Sequence, residues 1–461
     1  MYQRDQHIHF VGIGGIGMSG LAELLLNLGH RVSGSDLRKS PVTRRLAQLG
    51  ASVQIGHHPD HVQGADVVVV SSAVAEDNPE VQAARELHLP VIPRAEMLAE
   101  LMRLKYGVAV AGAHGKTTCT SMLATLMAAG GLDPTMVVGG ILGALGLNAR
   151  LGQGEFLVAE ADESDGSFNS LTPVVVVVTN LDREHMEYYG TDQALDEAFV
   201  EFMNKVPFYG AAVICLDDPR LAGLIPKVRR RTITYGLTSQ ADFQARDLVP
   251  NGKGYGFTLY FRGERAGQVN LPAPGRHNVL NALGALAAAH EVGVGLKTAM
   301  AACAEFGGVR RRFEQKGTLD PDIIVMDDYA HHPTEIRATL EAARDCWPDR
   351  RLVACFQPHR YTRTRMLFEE FTTSFYGVDA LYVLDIYAAS EKPEPGVTAQ
   401  GLAEAIKAHG HRGVEYLGEA AAAVERLKKD LRAGDVFFTM GAGDVWRVGE
   451  QLLEGGGAGE R

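Results

Sequence analysis

The chain has 461 residues, 46% of them hydrophobic, and 45 Lys and Arg against 56 Asp and Glu leave a formal net charge of −11. That length supports about three domains with full cores. The acidic balance argues against a general nucleic-acid or anionic-membrane binder, which needs a broad basic surface, although local basic clusters can still hold phosphates. The longest purely aliphatic run, Val174 to Val178, is far too short to span a bilayer.

Met1 to Gln6 carries no signal-peptide core. The five cysteines (Cys119, Cys215, Cys303, Cys346, Cys355) are scattered without metal-site spacing, which suits reduced thiols in a cytoplasm.

Strand-like and helix-like patterns alternate, which predicts an α/β chain of mainly parallel sheets covered by helices. In the first unit, residues 1–104, a strand over Ile8 to Ile13 runs into Gly12-Ile-Gly-Gly-Ile-Gly17 and then a helix over Ser19 to Leu28. Arg31 to Ser35 is a second strand ending at Asp36, and Asp66 to Val70 another ending at Ser71-Ser72. Gly12, Gly14 and Gly17 match the dinucleotide fingerprint, with Asp36 placed to meet a ribose hydroxyl. Physically such a loop holds any diphosphate next to a nucleoside; a tight turn needed only for helix–sheet packing is the plainer alternative.

The second unit, 105–308, opens with an apolar run, Val108 to Ala111, then Gly112-Ala-His-Gly-Lys-Thr-Thr118, then a helix over Cys119 to Ala129. Strand, glycine turn and helix together point backbone N–H groups into one concavity beside a positive helix end. Lys116 is then placed for the β/γ-phosphates and a Thr117 or Thr118 hydroxyl for Mg²⁺. The alternative is a chance glycine turn with an exposed lysine. A hydride-transferring enzyme needs only the first loop, so this second one demotes a dehydrogenase reading.

Phe156 to Ala159 is a strand leading into Glu160-Ala-Asp162-Glu163-Ser-Asp165, and Glu160 at its end is a candidate Mg²⁺ ligand. The valine strand leads into Thr179-Asn180-Leu-Asp182-Arg183-Glu184-His185, where His185, read as facing the same site from a strand, is a candidate for a second Mg²⁺ or its water. Tyr255 to Gln268 alternates as a hairpin around Arg262-Gly263-Glu264. Pro272 to Gly275 break the pattern before a helix over Asn278 to His290. Asn278 and Asn281 share a face of that helix, and with His277 they suit adenine and ribose edges; capping by Asn278 is the alternative.

The third unit, 309–461, has strands over Ile323 to Met326, Leu352 to Phe356, Leu381 to Leu384 and Val436 to Thr439, and a tail from Gly455 expected to be disordered. Arg310-Arg-Arg312, Asp327-Asp328-Tyr-Ala-His331-His332 and His359-Arg360-Tyr-Thr-Arg363 cluster at its start and at successive strand ends. Arginines there suit carboxylate or phosphate, so convergence on a cleft is expected over a solvated basic face. His331 and His332 have no third metal-type partner nearby in sequence, so no zinc site is expected.

Taken together, Gly12-Ile-Gly-Gly-Ile-Gly-Met-Ser-Gly20, Gly112-Ala-His-Gly-Lys-Thr-Thr118, Glu160-Ala-Asp-Glu-Ser-Asp165, His277-Asn-Val-Leu-Asn281, Asp327-Asp-Tyr-Ala-His-His-Pro333 and Gln357-Pro-His-Arg-Tyr-Thr-Arg363 resemble the Mur ligases, colinearly over nearly the whole chain. The resemblance implies a Rossmann-like first domain that binds UDP rather than NAD, a central ATP-binding domain, and a Rossmann-like third domain that closes over ATP and carries an amino-acid site. Within the family it points to the branch that joins L-alanine to the lactyl carboxylate of UDP-N-acetylmuramate through an acyl phosphate. Two departures stand out: Ala113 replaces the family's usual Thr, and Asp192 to Met203 lacks the lysine that other branches carbamylate, as the alanine-adding branch does.

Carried over by motif, Gly112, Ala113, His114, Gly115, Lys116, Thr117 and Thr118 cradle ATP, and Thr117, Thr118, Glu160 and His185 bind Mg²⁺. Asn278, Asn281, Arg312 and Asp328 hold ADP parts, with His277 beside them, and Arg360 and Arg363 grip the alanine carboxylate beside His331 and His332. Gly14, Gly15, Ile16, Gly17, Met18, Ser19, Asp36, Ser71 and Ser72 contact the UDP sugar. A recycling ligase that attaches a preformed tripeptide, an NAD-dependent dehydrogenase and a non-enzymatic nucleotide switch are the rival readings. A monomer or weak homodimer in a bacterial cytoplasm, opening without ligands, is expected.

Overall fold

The computed structural model describes residues 5–71, 73–139, 148–389 and 391–456. Three sheets organise it. The first has strands β1 (His7–Val11), β2 (Arg31–Asp36), β3 (Ser52–Ile55), β4 (Val67–Val70) and β5 (Val91–Pro93) in the order β3-β2-β1-β4-β5. Every adjacent pair is parallel. The chain reverses its direction of travel across the sheet between β1 and β4, which opens a crevice at their carboxyl ends.

The second sheet contains β6 (Tyr106–Ala111), β7 (Thr135–Val137), β8 (Ala149–Arg150), β9 (Phe156–Glu160), β10 (Val175–Val178), β11 (Ala211–Cys215), β12 (Thr232–Gly236), β13 (Phe243–Asn251), β14 (Gly254–Phe261) and β15 (Glu264–Leu271). Its order is β15-β14-β13-β12-β11-β10-β6-β9-β7-β8. β6 lies between β10 and β9 and is parallel to both, so the loops after these three strands emerge side by side. All four residues of β10 are buried, as expected of a strand covered on both faces. Arg262 and Gly263 both take positive φ, 50° and 83°, the requirement of a two-residue hairpin between β14 and β15.

The third sheet is β16 (Glu314–Leu319), β17 (Ile323–Asp328), β18 (Leu352–Phe356), β19 (Ala380–Leu384), β20 (Val414–Gly418) and β21 (Val436–Met440), ordered β16-β17-β21-β18-β19-β20. Only its edge strand β16 is antiparallel to its neighbour. The first two sheets, save the turn end of the β13–β14 hairpin, fall in one compact unit (Met1–Leu248, Phe257–Leu271, Asn278–Gly307) and the third in another (Val249–Gly256, Pro272–His277, Gly308–Arg461). Among the described residues, no helix is long and apolar enough to cross a membrane.

Every strand expected from sequence is present with its ends within three residues. Several others were not foreseen, among them β11, β12 and the edge strands β16 and β20. β16 and β20 are half-exposed and polar, so they carry no continuous apolar run. Three helices start earlier than the periodicity suggests, one of them Arg276–Glu291, two residues before Asn278. Ile16–Asn27 begins inside the glycine loop, and Lys116–Ala129 begins at the lysine itself.

Close approach fixes the first glycine loop. A Cβ on Gly34 would lie 2.7 Å from both the Phe10 carbonyl oxygen and Ile13 Cδ1. Gly34→Ala should therefore cost about 1–3 kcal/mol of stability, read as a lower midpoint in urea denaturation.

Candidate active site

The loop after β6 is built by backbone geometry. Gly112 and Gly115 have φ of 129° and 83°, and a Cβ on either would overlap a neighbour: the Thr179 hydroxyl for Gly112, the Asn281 side-chain oxygen for Gly115. The residues after β10 lace the loop in place. Thr179 Oγ1 donates to the His114 carbonyl (2.6 Å), Asn180 Oδ1 accepts from His114 N (2.9 Å), and the Asn180 carbonyl accepts from Ala113 N (3.1 Å). His114 Nε2 lies 2.9 Å from Asp182 Oδ2. The sequence marked Thr179 and Asn180 only as a strand end; their fastening role comes from β10 pairing beside β6.

Gly115 caps the Lys116–Ala129 helix without a side-chain bond, and no acid occupies the first turn. Its leading N–H groups therefore keep the positive potential that favours an anion. Lys116 Nζ donates to the Gly112 carbonyl (2.6 Å), the Ala113 carbonyl (3.1 Å) and Glu163 Oε1 (2.7 Å). Burial works against its charge, but the carboxylates of Glu163, Glu160 and Glu184 outweigh that and hold its pKa above the ordinary lysine value.

Two sets of cation-type donors stand here. Glu160 ends β9, and its Oε2 accepts from Thr117 Oγ1 (2.8 Å) and Gly139 N (2.8 Å), so the expected Thr117–Glu160 partnership is present. Thr118 is buried in the same helical turn. In the second set, Glu163, Glu184 and His185 bring one ligand atom each within 4.8 Å of one another. Among the described residues, the buried Glu163 Oε2 finds no hydrogen-bond partner.

His185 differs from expectation in its backbone. It is not on a strand: β10 ends at Val178, and His185 sits in a left-handed conformation (φ 57°) before the short helix Met186–Tyr189. Burial lowers its pKa, but Glu187, Glu184 and Glu163 outweigh that and raise it. No spacing in the sequence singles out Glu163 or Glu184, because the fold gathers them.

Asn278 and Asn281 do share a face, since Asn281 Nδ2 donates to Asn278 Oδ1 (3.2 Å). Asn278 is not a cap, because its helix, Arg276–Glu291, starts two residues earlier.

At the first sheet, Gly12 N and Ile13 N both donate to the Ser35 carbonyl at 2.9 Å, and Gly14 N donates to Asp36 Oδ2 at 2.9 Å. Asp36 Oδ1 accepts from Arg38 N at 3.2 Å. Asp36 thus shapes the loop as well as standing at its mouth. Gly15 caps the helix that starts at Ile16, and a Cβ on Gly17 would lie 3.0 Å from Arg94. Met18 and Ser19 are buried, and Ser19 Oγ accepts from Asn148 Nδ2 (3.2 Å), so their side chains pack inward. Ser71 Oγ accepts from Ala73 N (3.3 Å). Ser72 lies outside the described residues.

In the third-sheet unit, buried Asp328 at the end of β17 accepts from Phe313 N (2.7 Å) and Ala330 N (2.8 Å). Burial pushes its carboxyl up to about 6 despite Arg312. Arg312 reaches Glu335 (3.3 Å) and lies over the Tyr329 ring. Arg310 begins this arginine run, and Arg311 pairs with Asp327 (3.0 Å). His277 is held down to about 4 by burial and Arg312. His331 Nδ1 lies 3.2 Å from Glu335, whereas His332 caps the Pro333–Cys346 helix through its Nδ1.

His359 stacks on Tyr387, with centroids 5.6 Å apart. Arg363 Nη1 donates to His359 Nδ1 at 3.2 Å; arginine has no acceptor, so this nitrogen carries no proton. Arg360 takes φ 68° and ψ 140°, a conformation costly for any side chain but glycine, with its N–H on the Tyr387 carbonyl (2.8 Å). Gln357, a motif residue to which the sequence assigns no role, accepts at Oε1 from Asp444 N (3.0 Å) and Val445 N (3.2 Å) and ties down the loop after β21.

The glycine turn, first-turn lysine and adjacent acids are those of a nucleotide-binding α/β protein. Three family models match in succession: Mur ligase family, catalytic domain, over residues 7–106; Mur ligase middle domain over 110–289; and Mur ligase, glutamate ligase domain, over 311–443. The chain belongs to the Mur ligase family. It is 56% identical to a UDP-N-acetylmuramate–L-alanine ligase of Geotalea daltonii, over 98% of this chain and 99% of that protein. It is 55% identical to one of Syntrophobacter fumaroxidans, over 98% and 97%. Among solved structures it is similar to the UDP-N-acetylmuramate-alanine ligase of Thermotoga maritima, with TM-score 0.82, 29% identity and 97% and 98% coverage. It is also similar to a murein peptide ligase of Psychrobacter arcticus, with TM-score 0.73, 28% identity and 99% and 100% coverage.

Two predictions follow from this geometry. Gly115→Ala should weaken ATP binding by about tenfold or more in calorimetry while the protein stays folded, because the new methyl meets Asn281 in a left-handed turn. His359 should stay neutral through the physiological range, since burial, His331, Arg363 and Arg360 hold it down to about 3. Its ¹⁵N spectrum should show an unprotonated Nδ1 that does not titrate between about pH 5 and 8. The unfolded ring takes up its proton near 6.5, so this side chain's stabilisation is full above that value and is lost as pH falls toward 3.

Proposed function

We propose that this chain is an ATP-dependent ligase that joins L-alanine to the lactyl carboxylate of UDP-N-acetylmuramate in peptidoglycan synthesis, giving ADP and phosphate. The observation that carries this is full-length identity of 55–56% to proteins of that name, in a chain that keeps both nucleotide-type loops and the Arg360–Arg363 pair. The first unit, 1–104, takes the UDP sugar; 105–308 takes ATP; 309–461 takes the amino acid. The enzyme works in the bacterial cytoplasm as a monomer or weak homodimer.

The lactyl carboxylate oxygen attacks the γ-phosphorus, the bond to the ADP oxygen breaks, and an acyl phosphate forms. The alanine amine then adds to the acyl carbon, and the tetrahedral intermediate expels phosphate as the amine gives up a proton. Two anions must meet in the first step, so neutralisation is the main task of the site. Lys116 leaves its carbonyl partners for the β/γ-phosphates, and the open first turn of its helix accepts phosphate oxygens. Asn278 and Asn281 hold the nucleoside, Arg312 approaches the γ-phosphate, and Asp328 keeps the Phe313–Ala330 loop in shape. Arg360 and Arg363 take the alanine carboxylate, beside His331 and His332.

The donor sets suit Mg²⁺, a hard cation that prefers oxygen. Thr117 or Thr118 with Glu160 would hold one ion, and His185, with Glu163 and Glu184 beside it, a second; the unused oxygen of buried Glu163 supports this reading. When bound, the cation supplies charge neutralisation at the phosphate oxygens.

Phosphate release from ATP should require both UDP-N-acetylmuramate and L-alanine. Release with a preformed tripeptide but not with alanine would reassign the chain to the recycling reaction. Lys116→Ala should lower kcat by about 10²–10³-fold in that assay. Arg363→Lys should raise KM for alanine roughly tenfold, because an ammonium cannot grip a carboxylate in bidentate fashion. Glycine, lacking one methyl, should fall about 10–100-fold in kcat/KM.

A further inference from the structure

The first sheet buries side chains on both faces, and one of them carries a polar cluster among its apolar residues. Ile8 and Phe10 of β1 are buried on one side; His7 and His9 alternate to the other, where both rings reach Ser33 Oγ, at 2.7 and 2.8 Å. Over His9 and Ser33 on this face lies Glu80, completely buried, in the first turn of the helix Pro79–Glu86, whose Ala84 packs on Val11 and Val68. Five groups converge on its carboxylate. Oε1 meets His61 Nδ1 (2.6 Å) and His58 N (3.3 Å). Oε2 meets Ser35 Oγ (2.5 Å), His57 Nδ1 (3.3 Å) and His9 Nε2 (3.6 Å). Burial alone would raise its pKa, but His9 close by and the hydrogen bonds from Ser35 and His61 outweigh that and lower it to about 2, so the group is an anion.

An anion is an expensive way to pack a sheet face, and this one holds particular residues. Ser35 donates its hydroxyl to Glu80 while its carbonyl takes Gly12 N and Ile13 N, the start of the glycine loop. The next residue, Asp36, takes Gly14 N. His57 follows β3, where Gly56 N donates to the Asp36 carbonyl (2.9 Å). With the one Ser35 hydroxyl proton spent on Glu80, His57 Nδ1 (2.9 Å from Ser35 Oγ) has only acceptors beside it, so it carries the ring proton. Glu80 therefore fixes one rotamer of Ser35 and one tautomer of His57, which lie at the carboxyl ends of β2 and β3, on the same edge of the sheet as the crevice between β1 and β4.

We propose that Glu80 is a positioning residue for the UDP moiety of the substrate, acting through Ser35 and His57 without touching the ligand. This rests on the reading above that the first-sheet crevice takes UDP.

The test is Glu80→Gln in the full-length enzyme, which keeps the volume and removes the charge. UDP affinity by calorimetry and KM for UDP-N-acetylmuramate should each weaken about tenfold, while KM for ATP and kcat stay within about twofold. The ¹⁵N signals of His57 should lose the single Nδ1-protonated form. Unchanged UDP affinity in a folded variant would overturn the proposal, as would equal losses in every kinetic constant, the mark of a purely structural role. If Glu80→Gln does not fold, His61→Gln removes one donor and should show the same split at about threefold; its absence overturns the proposal too. If the unmodified enzyme fails to bind UDP at all, the substrate reading has failed and this inference falls with it, an outcome visible before any variant is made.

Discussion

A buried ammonium needs carboxylates around it, and the central site is organised by that need. Lys116 sits at the first turn of its helix because Gly112 and Gly115 let the chain turn sharply off β6. There its charge meets Glu163 directly and Glu160 and Glu184 more distantly. Asp162 nearby pairs with Arg94 (3.3 Å). The cluster still holds more acid than base, which is the condition for drawing in a cation. The same arrangement keeps the lysine charged, and under the proposed function the ion pair with Glu163 is the resting state that phosphate replaces.

Parallel sheets explain why such parts meet. Successive strand ends deliver side chains to one edge, and β9, β6 and β10 deliver an acid, a phosphate loop and the Thr179–Asn180 fastening. The third sheet does the same with basic and aromatic groups after β17 and β18, tied to the loop after β21 by Gln357. Arg360 pays a local conformational cost there, accepting a glycine-type backbone angle so that its N–H meets Tyr387. Strain of this kind persists only where the surroundings over-determine it, and here His359, Tyr387 and Arg363 do so.

The parts legible in the sequence are those whose chemistry is local. A glycine loop between strand and helix is written in six or seven consecutive residues, and Glu160 is marked by its place directly after an apolar run. The helix starts at Ile16 and Lys116 were blurred because glycines and polar first-turn residues interrupt the apolar period. β16 was missed because an edge strand needs only half a hydrophobic pattern. His185 was found for its residue type, yet its left-handed backbone and its pairing with Glu163 and Glu184 depend on a turn with no spacing rule. The Glu80 network is the extreme case. Its members are drawn from β1, β2, the segment after β3 and a helix after β4, and no window of sequence contains them together.

The two buried glutamates show how a charge's surroundings separate shaping from binding. Glu80 has hydrogen-bond partners from the protein on both oxygens, His61 and His58 N on one and Ser35 and His57 on the other. A carboxylate satisfied in that way has nothing left to offer a ligand, and its influence passes through the groups it holds still. Glu163 has Lys116 on one oxygen and, among the described residues, no hydrogen bond on the other, with a histidine and a second acid alongside. An unsatisfied buried oxygen is costly in a molecule at rest. It is tolerable where a cation completes it during the reaction, which is why the same residue type reads as scaffold at the first sheet and as proposed ligand at the second.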